Sequence, residues 1–222
     1  MAVRDTHWDE VYGRAVVTQV SWFQREPRCS LELVAESGIR PEEALVDVGA
    51  GASVLVDRLL DAGYRDVTAL DLAADALAVA RSRLGPRAGE VHWVTGDLLR
   101  WQPDRRYRLW HDRAVFHFLT EPAERDRYRT VLRRVVPPGG HIVIGTFAAD
   151  GPTHCSGLPT ARYAPDQLAA EFPGFEVVRH VREEHRTPGG SLQPFTWLLL
   201  VDRRRTGTGD PDRPTRSVRR FG

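Results

Sequence analysis

The nine residues LVDVGAGAS, Leu45 to Ser53, constrain this chain more than any other stretch. An apolar run, an acid and two glycines one residue apart form the pattern of a strand that turns sharply into a helix around a ligand. Glycine at such a turn adopts backbone angles closed to other residues and lets a ligand approach the main chain with no side chain between. Dinucleotide-binding turns carry a third glycine three residues after the second. Here that position is Val54. The turn is therefore built for close backbone approach but lacks the pyrophosphate signature.

The rest of the chain supplies the sheet that such a turn needs. The segments ALVDVG, VTALDL, VHWVTGD, RYRLWHD and GGHIVIGTF predict five strands. Between them, SVLVDRLLDAGY has apolar residues at helical spacing and stops at Gly63, and AADALAVARSRLG repeats the pattern with Asp75 in its first turn. EPAERDRYRTVLRRVVPPGG opens with Pro122 near its first helical position and is halted by Pro137 and Pro138. Strands that alternate with helices make a parallel sheet with right-handed crossovers. The end differs: FEVVRHVREEHR and QPFTWLLLVD flank the turn TPGGS, two strands that add an antiparallel pair to the sheet edge. The expected fold is α/β, a Rossmann-like doubly wound seven-stranded sheet, parallel except for an antiparallel strand seven. The expected organisation is a helical N-terminal segment over residues 1–40, one domain over 41–202, and a tail over 203–222.

Composition narrows the possible functions. A chain of 222 residues with 41% hydrophobic and 27% charged residues supports one globular domain with a sizeable core. No apolar run approaches the roughly 20 residues of a membrane helix, and the start MAVRDTHWDEVYGR has no signal-peptide core. Two cysteines, Cys29 and Cys155, are too few for a disulfide framework, so a reducing cytoplasm is expected. All 31 basic residues are arginine, which excludes a Schiff-base or P-loop lysine and suggests a GC-rich bacterial genome. The tail holds seven Arg and two Asp, a net +5, against −4 for the remainder. With almost no apolar residues it reads as a disordered, solvated extension, and contact with nucleic acid or a membrane surface is the alternative. No specific nucleic-acid partner and no membrane are expected, and the protein is read as a monomer or homodimer.

Ligands of open parallel sheets sit beyond the carboxyl ends of the strands. Three acids fall there: Asp47 before the glycine turn, Asp71 closing the second strand, and Asp97 closing the third. A carboxylate at the second strand end can accept both hydroxyls of a ribose. An acid after the third can accept an exocyclic amine, and Leu72 and Leu98 can sandwich an adenine ring. This ordered set resembles the class I S-adenosylmethionine-dependent methyltransferases over roughly residues 40–202. VDVGAGAS is similar to their first motif, ALDL to the second, GDLL to the third, and LRRVVPPGGHIVIGTF to the segment around strand five. The resemblance implies S-adenosyl-L-methionine as cofactor. It implies that Asp47, Gly49, Ala50, Gly51 and Ser53 hold the methionine part with His111 nearby, that Asp71 holds the ribose, and that Asp97 with Leu72 and Leu98 holds the adenine. Ala50 departs from the cysteine or polar residue that many members carry, and a small side chain fits equally well.

Absences restrict the acceptor. The residues after strand four, HDRAVFHF, lack the Asn/Asp-Pro-Pro-aromatic motif of enzymes that methylate adenine or glutamine amide nitrogens. There is no Pro-Cys nucleophile, no evident Asp/Asn set of the magnesium-dependent catechol enzymes, and too few cysteines for an arsenite enzyme. His111, Asp112 and His117 follow strand four as candidate general bases. Asp112 as a helix cap and His117 as a packing residue are the competing readings. His154, Cys155 and Arg162 lie in the long connection after strand five, and His185 and Arg186 flank the hairpin turn. Their scatter gives no metal-ligand spacing. Arg113, Arg162 and Arg186 would suit an anionic metabolite. The segments HWDEVYG and VSWFQ resemble the N-terminal stretch of bacterial small-molecule methyltransferases and of eukaryotic elongation-factor lysine methyltransferases. Tyr12, Trp22 and Phe23 would then form a lid over the cofactor, with core packing as the alternative. The expected enzyme is a small-molecule methyltransferase, with a protein lysine-type methyltransferase as the alternative.

Overall fold

The computed structural model describes residues 7–8 and 17–204. Tyr12 and residues 205–222 lie outside the described residues. The chain enters through a single 3₁₀ turn, Val17–Gln19, and helix α1, Arg28–Glu36. Then come β1 (Leu45–Val48), α2 (Leu55–Asp61), β2 (Val67–Asp71), α3 (Ala74–Leu84), β3 (Val91–Thr95), β4 (Leu109–Arg113), α4 (Pro122–Val135) and β5 (His141–Phe147). A two-residue hairpin, His154–Cys155 with Leu158–Pro159, and the short helix α5, Pro165–Ala170, interrupt the path to β6 (Phe175–Arg186) and β7 (Leu192–Asp202). Neither the hairpin nor α5 carries a periodic signal long enough to read from sequence.

The seven strands lie in the order β3-β2-β1-β4-β5-β7-β6. β1 to β5 are parallel, and β7 runs antiparallel to both β5 and β6. The expected architecture is the observed one. β1 is buried at every position, and β7 from Phe195 to Asp202, as befits strands covered on both faces. β6 is the outer strand, with mostly exposed charged side chains that discourage pairing with another sheet. Among the described residues no helix is long and apolar enough to cross a membrane.

Two cores sandwich the sheet, and the period of two along each strand assigns residues to them. Leu45 and Leu109 belong to the core that includes Leu33, Leu59 and Trp197. Val46, Val48 and Trp110 belong to the opposite core, with Tyr128, Leu132 and Phe172. The alternation in β4 therefore sends His111 and Arg113 to the α1 side and Asp112 to the α4 side. At Gly145 on β5 an added Cβ would lie 2.7 Å from the Trp197 ring, so the indole lies flat across a strand that has no side chain there.

Candidate functional site

The order of strand addition reverses between β1 and β4, and a cavity opens over their carboxyl ends. The cavity volume is about 200 Å³. Gly49 sits in its floor, and Gly49 and Gly51 have φ of +67° and +52°, backbone that L side chains avoid. A Cβ at Gly49 would fall 2.1 Å from Val115 Cγ2. The turn is fastened to β2, with Ala50 N–H donating to Leu70 O at 3.0 Å and Gly51 N–H to Asp71 Oδ2 at 2.8 Å.

The three strand-end acids reach the same cavity. Asp71 also accepts Ala73 N–H at 2.8 Å. Burial, with a contribution from the Asp47 charge, pushes its carboxyl up to about 6 against the pull of the Ala73 and Gly51 amides. Asp97 accepts Leu99 N–H at 2.8 Å and caps a 3₁₀ turn. Asp47 is buried at the base of the cavity. Its Oδ1 lies 2.7 Å from His111 Nδ1, and its Oδ2 is buried without a hydrogen-bond partner. Ala50, Ser53, Leu72, Leu98 and His111 also line the cavity. Apart from Gly51, whose neighbours Ala50 and Ala52 line the cavity, the residues expected on the cofactor side meet in one place.

The expected bases separate. His111 stands on the cavity with both ring nitrogens engaged, Nδ1 by Asp47 and Nε2 by Ser30 Oγ at 2.9 Å. Asp112 faces the other core. Its Oδ1 accepts Val115 N–H at 2.9 Å and its Oδ2 accepts the Tyr128 hydroxyl at 2.7 Å. The Tyr128 oxygen in turn accepts Trp110 Nε1–H at 2.8 Å. Burial pushes Asp112 up to about 6. His117 is fully buried, and its Nδ1 accepts Phe147 N–H at 3.3 Å. Burial, then the Arg113 charge, pushes it down to about 3. Of the three candidates for a base, His111 lines the cavity, and Asp112 and His117 do not. The capping and packing readings of Asp112 and His117 match their positions.

On the acceptor side, Trp8, Trp22, Phe23, Phe118 and Cys155 wall the cavity. Trp8 meets Trp22 and Phe118 edge-on, with ring centroids at 5.8 and 5.3 Å. The strand segment at β6 fastens this wall. Glu183 Oε1 accepts Gln24 Nε2–H at 2.7 Å, and His185 Nε2–H donates to Ser21 O at 2.8 Å. Burial pushes the Cys155 thiol up to about 11. His154, Arg162 and Arg186 are exposed and stand off the cavity, with Arg162 turned to Gly151 O and Arg186 to Gly190 O. Arg113 is the arginine that lines it. Sequence reasoning missed Ser30, Gln24 and Glu183. The pairs Ser30–His111 and Gln24–Glu183 span 81 and 159 positions of chain, and no local signal joins them.

Residues 45–140 match the family described as methyltransferase domain. The strand order, the glycine turn and the strand-end acids give that match its structural meaning. The chain carries a class I S-adenosylmethionine-dependent methyltransferase domain. Its fold is similar to that of a SAM-dependent methyltransferase from Anabaena variabilis ATCC 29413, with TM-score 0.71, 15% identity, and 91% of this chain and 94% of that one covered. The glycopeptide N-methyltransferase MtfA complexed with S-adenosyl-L-methionine superposes with TM-score 0.60 at 21% identity, over 80% of this chain and 99% of MtfA. In sequence, the Homo sapiens "eEF1A lysine and N-terminal methyltransferase" is 23% identical over 214 residues, 85% of this chain and 30% of the relative. The chain thus spans less than a third of the length of the curated relatives it matches. The methyltransferase domain's cofactor half fits S-adenosylmethionine: a main-chain turn with no room for a Cβ at Gly49, and a buried carboxylate oxygen with no partner, suit a cationic ligand that hugs the backbone.

Proposed function

We propose that this methyltransferase acts on a small-molecule acceptor. The supporting observation is the aromatic wall of Trp8, Trp22, Phe23 and Phe118, which surrounds the acceptor half with apolar rings. When bound, S-adenosylmethionine supplies an electrophilic methyl group on a sulfonium. In this reading Asp47 and the Gly49–Gly51 backbone hold its methionine part, Asp71 its ribose, and Asp97 with Leu72 and Leu98 its adenine. The wall excludes water and sets the acceptor in line, and positioning of that kind provides much of a transfer rate. Where the acceptor must lose a proton, the chain Ser30–His111–Asp47 is the route: the proton passes to Ser30 Oγ as the hydroxyl proton moves to His111 Nε2, and Asp47 holds the resulting imidazolium.

The sequence relatives favour a second reading, a protein lysine-type acceptor. Incubation with radiolabelled S-adenosylmethionine, a metabolite extract and a protein extract separates the two. The expected result is label in the solvent-extractable, small-molecule fraction. Label confined to acid-precipitated protein would establish the second reading instead.

A further inference from the structure

Arg113 is a cation walled in at the end of β4, and it has no ion-pair partner among the described residues. Its Nη1–H donates to Trp22 O at 2.9 Å, while Nε and Nη2 are buried with no hydrogen-bond partner. These two nitrogens form one edge of the guanidinium, whose parallel N–H bonds match the two oxygens of a carboxylate. The ring of Phe195 lies 4.9 Å from its Cζ and holds the plane fixed. Leaving charged donors unsatisfied in an apolar wall is unfavourable, and such groups ordinarily have a partner.

Each anion near Arg113 is already occupied or neutral. Glu183 has one carboxylate oxygen on Gln24 and the other on Trp197 Nε1, at 2.7 and 2.8 Å. Cys155 and Cys29 are thiols at neutral pH, pushed up to about 11 and about 12 by burial. Asp47 gives one oxygen to His111, and the other is buried without a hydrogen-bond partner. The Glu183 and Asp47 carboxylates act on Arg113 from a distance without capping its edge. The position also separates two ligands. The cofactor-side acids close β1, β2 and β3, whereas Arg113 closes β4 and reaches toward β7, where Phe195 lies.

We propose that the Nε–Nη2 edge of Arg113 anchors the carboxylate of the methyl acceptor, so that the substrate is a small carboxylic acid. This rests on the small-molecule reading above. An acid entering here displaces apolar wall rather than breaking an ion pair. The sulfonium end of the site is complemented by Asp47 and the anionic end by Arg113, so the two charges of the bound pair are met by opposite charges.

The test uses the full chain saturated with S-adenosylhomocysteine and the probes acetate, benzoate and indole-3-acetate, each against its amide, by calorimetry. The wild type is expected to bind acids at least about tenfold more tightly than amides, since an amide leaves one donor unmatched. Arg113→Met is expected to lose that preference while S-adenosylhomocysteine affinity stays within about threefold, and Arg113→Lys, which keeps the charge without the fork, to lose most of it. Absence of an acid preference in the wild type overturns the proposal with no need of a variant. Loss of S-adenosylhomocysteine binding in Arg113→Met also overturns it, and assigns Arg113 to the cofactor's own carboxylate. A wild type that does not bind S-adenosylhomocysteine would instead sink the methyltransferase reading itself.

Discussion

Gly49→Ala tests the cradle most directly. The residue sits at φ +67°, and an added Cβ would lie 2.1 Å from Val115 Cγ2. Holding alanine in the left-handed region is unfavourable by roughly 1–2 kcal/mol. Relieving the overlap requires Val115, stiff at χ1, or the turn itself to move, and overpacking of that kind destabilises by about 1–3 kcal/mol. The sum, about 2–5 kcal/mol, corresponds to a fall in melting temperature of roughly 5–15 °C for a chain of this size. The two contributions separate in a double-mutant cycle. Val115→Ala removes the clashing methyl but not the backbone strain, so the double variant should recover about half of what Gly49→Ala loses. Thermal unfolding of the four proteins, with S-adenosylhomocysteine titrations alongside, gives the numbers. If Val115→Ala rescues nothing, the close packing of Val115 on the turn is not what requires glycine, and the cradle argument falls.

Four further outcomes follow from the same contacts. Asp71→Ala should weaken S-adenosylhomocysteine binding at least about tenfold, since charged hydrogen bonds contribute about 1.5–3 kcal/mol each. It should also lower stability, because Gly51 and Ala73 N–H lose their acceptor, and unchanged calorimetric affinity would refute the placement. Ser30→Ala should cut turnover by ~10²–10⁴-fold on an acceptor that must lose a proton, with cofactor affinity within a few fold; near-native turnover rules out the relay. Asp112, pushed up to about 6, binds its proton more tightly folded than unfolded. Wild-type stability relative to Asp112→Asn should therefore fall as pH rises from about 4 to about 6, by about 2–3 kcal/mol, and level off above; a pH-independent difference in urea unfolding contradicts this. A chain ending at Arg204 should melt like the full chain, since residues 205–222 have no apolar run. One ending at Asp202 should melt several degrees lower, having lost the Arg204 Nε bond of 2.8 Å to the buried Asp202 carboxylate; equal melting of the two would deny Arg204 that role.

The convergence of the glycine turn and the strand-end acids was legible because local spacing carries it. Gly49, Gly51 and Asp71 lie on consecutive elements whose ends must converge once the sheet is parallel. The acceptor half was not legible in the same way. His111 and Asp112 are adjacent in sequence and were taken together, yet the two-residue period of β4 puts them on opposite faces, one on the cavity and one under Tyr128. That alternation was available in LWHDR and went unused. Arg113 stood beside Arg162 and Arg186 as a candidate for an anionic metabolite, and what sets it apart, a buried edge without a partner, is revealed only by packing. Ser30 reads as an ordinary helix residue until α1 docks beneath β4. Tyr12 falls outside the described residues.

The placement of β7 between β5 and β6 bears on synthesis at the ribosome. The sheet is assembled from its middle outward in sequence order until β5, whose free edge then waits for a strand that is made about fifty residues later. During that interval the unpaired backbone edge of the apolar strand from Ile142 to Phe147 faces open solvent, and β6, already made, has no partner, because among the described residues it pairs only with β7. An unpaired apolar edge on a nascent chain is a site for wrong pairing between neighbouring chains. Stalling or premature termination before Leu192 should therefore yield an aggregating fragment rather than a smaller domain, and the chain becomes safe to release only when its last strand slides into place.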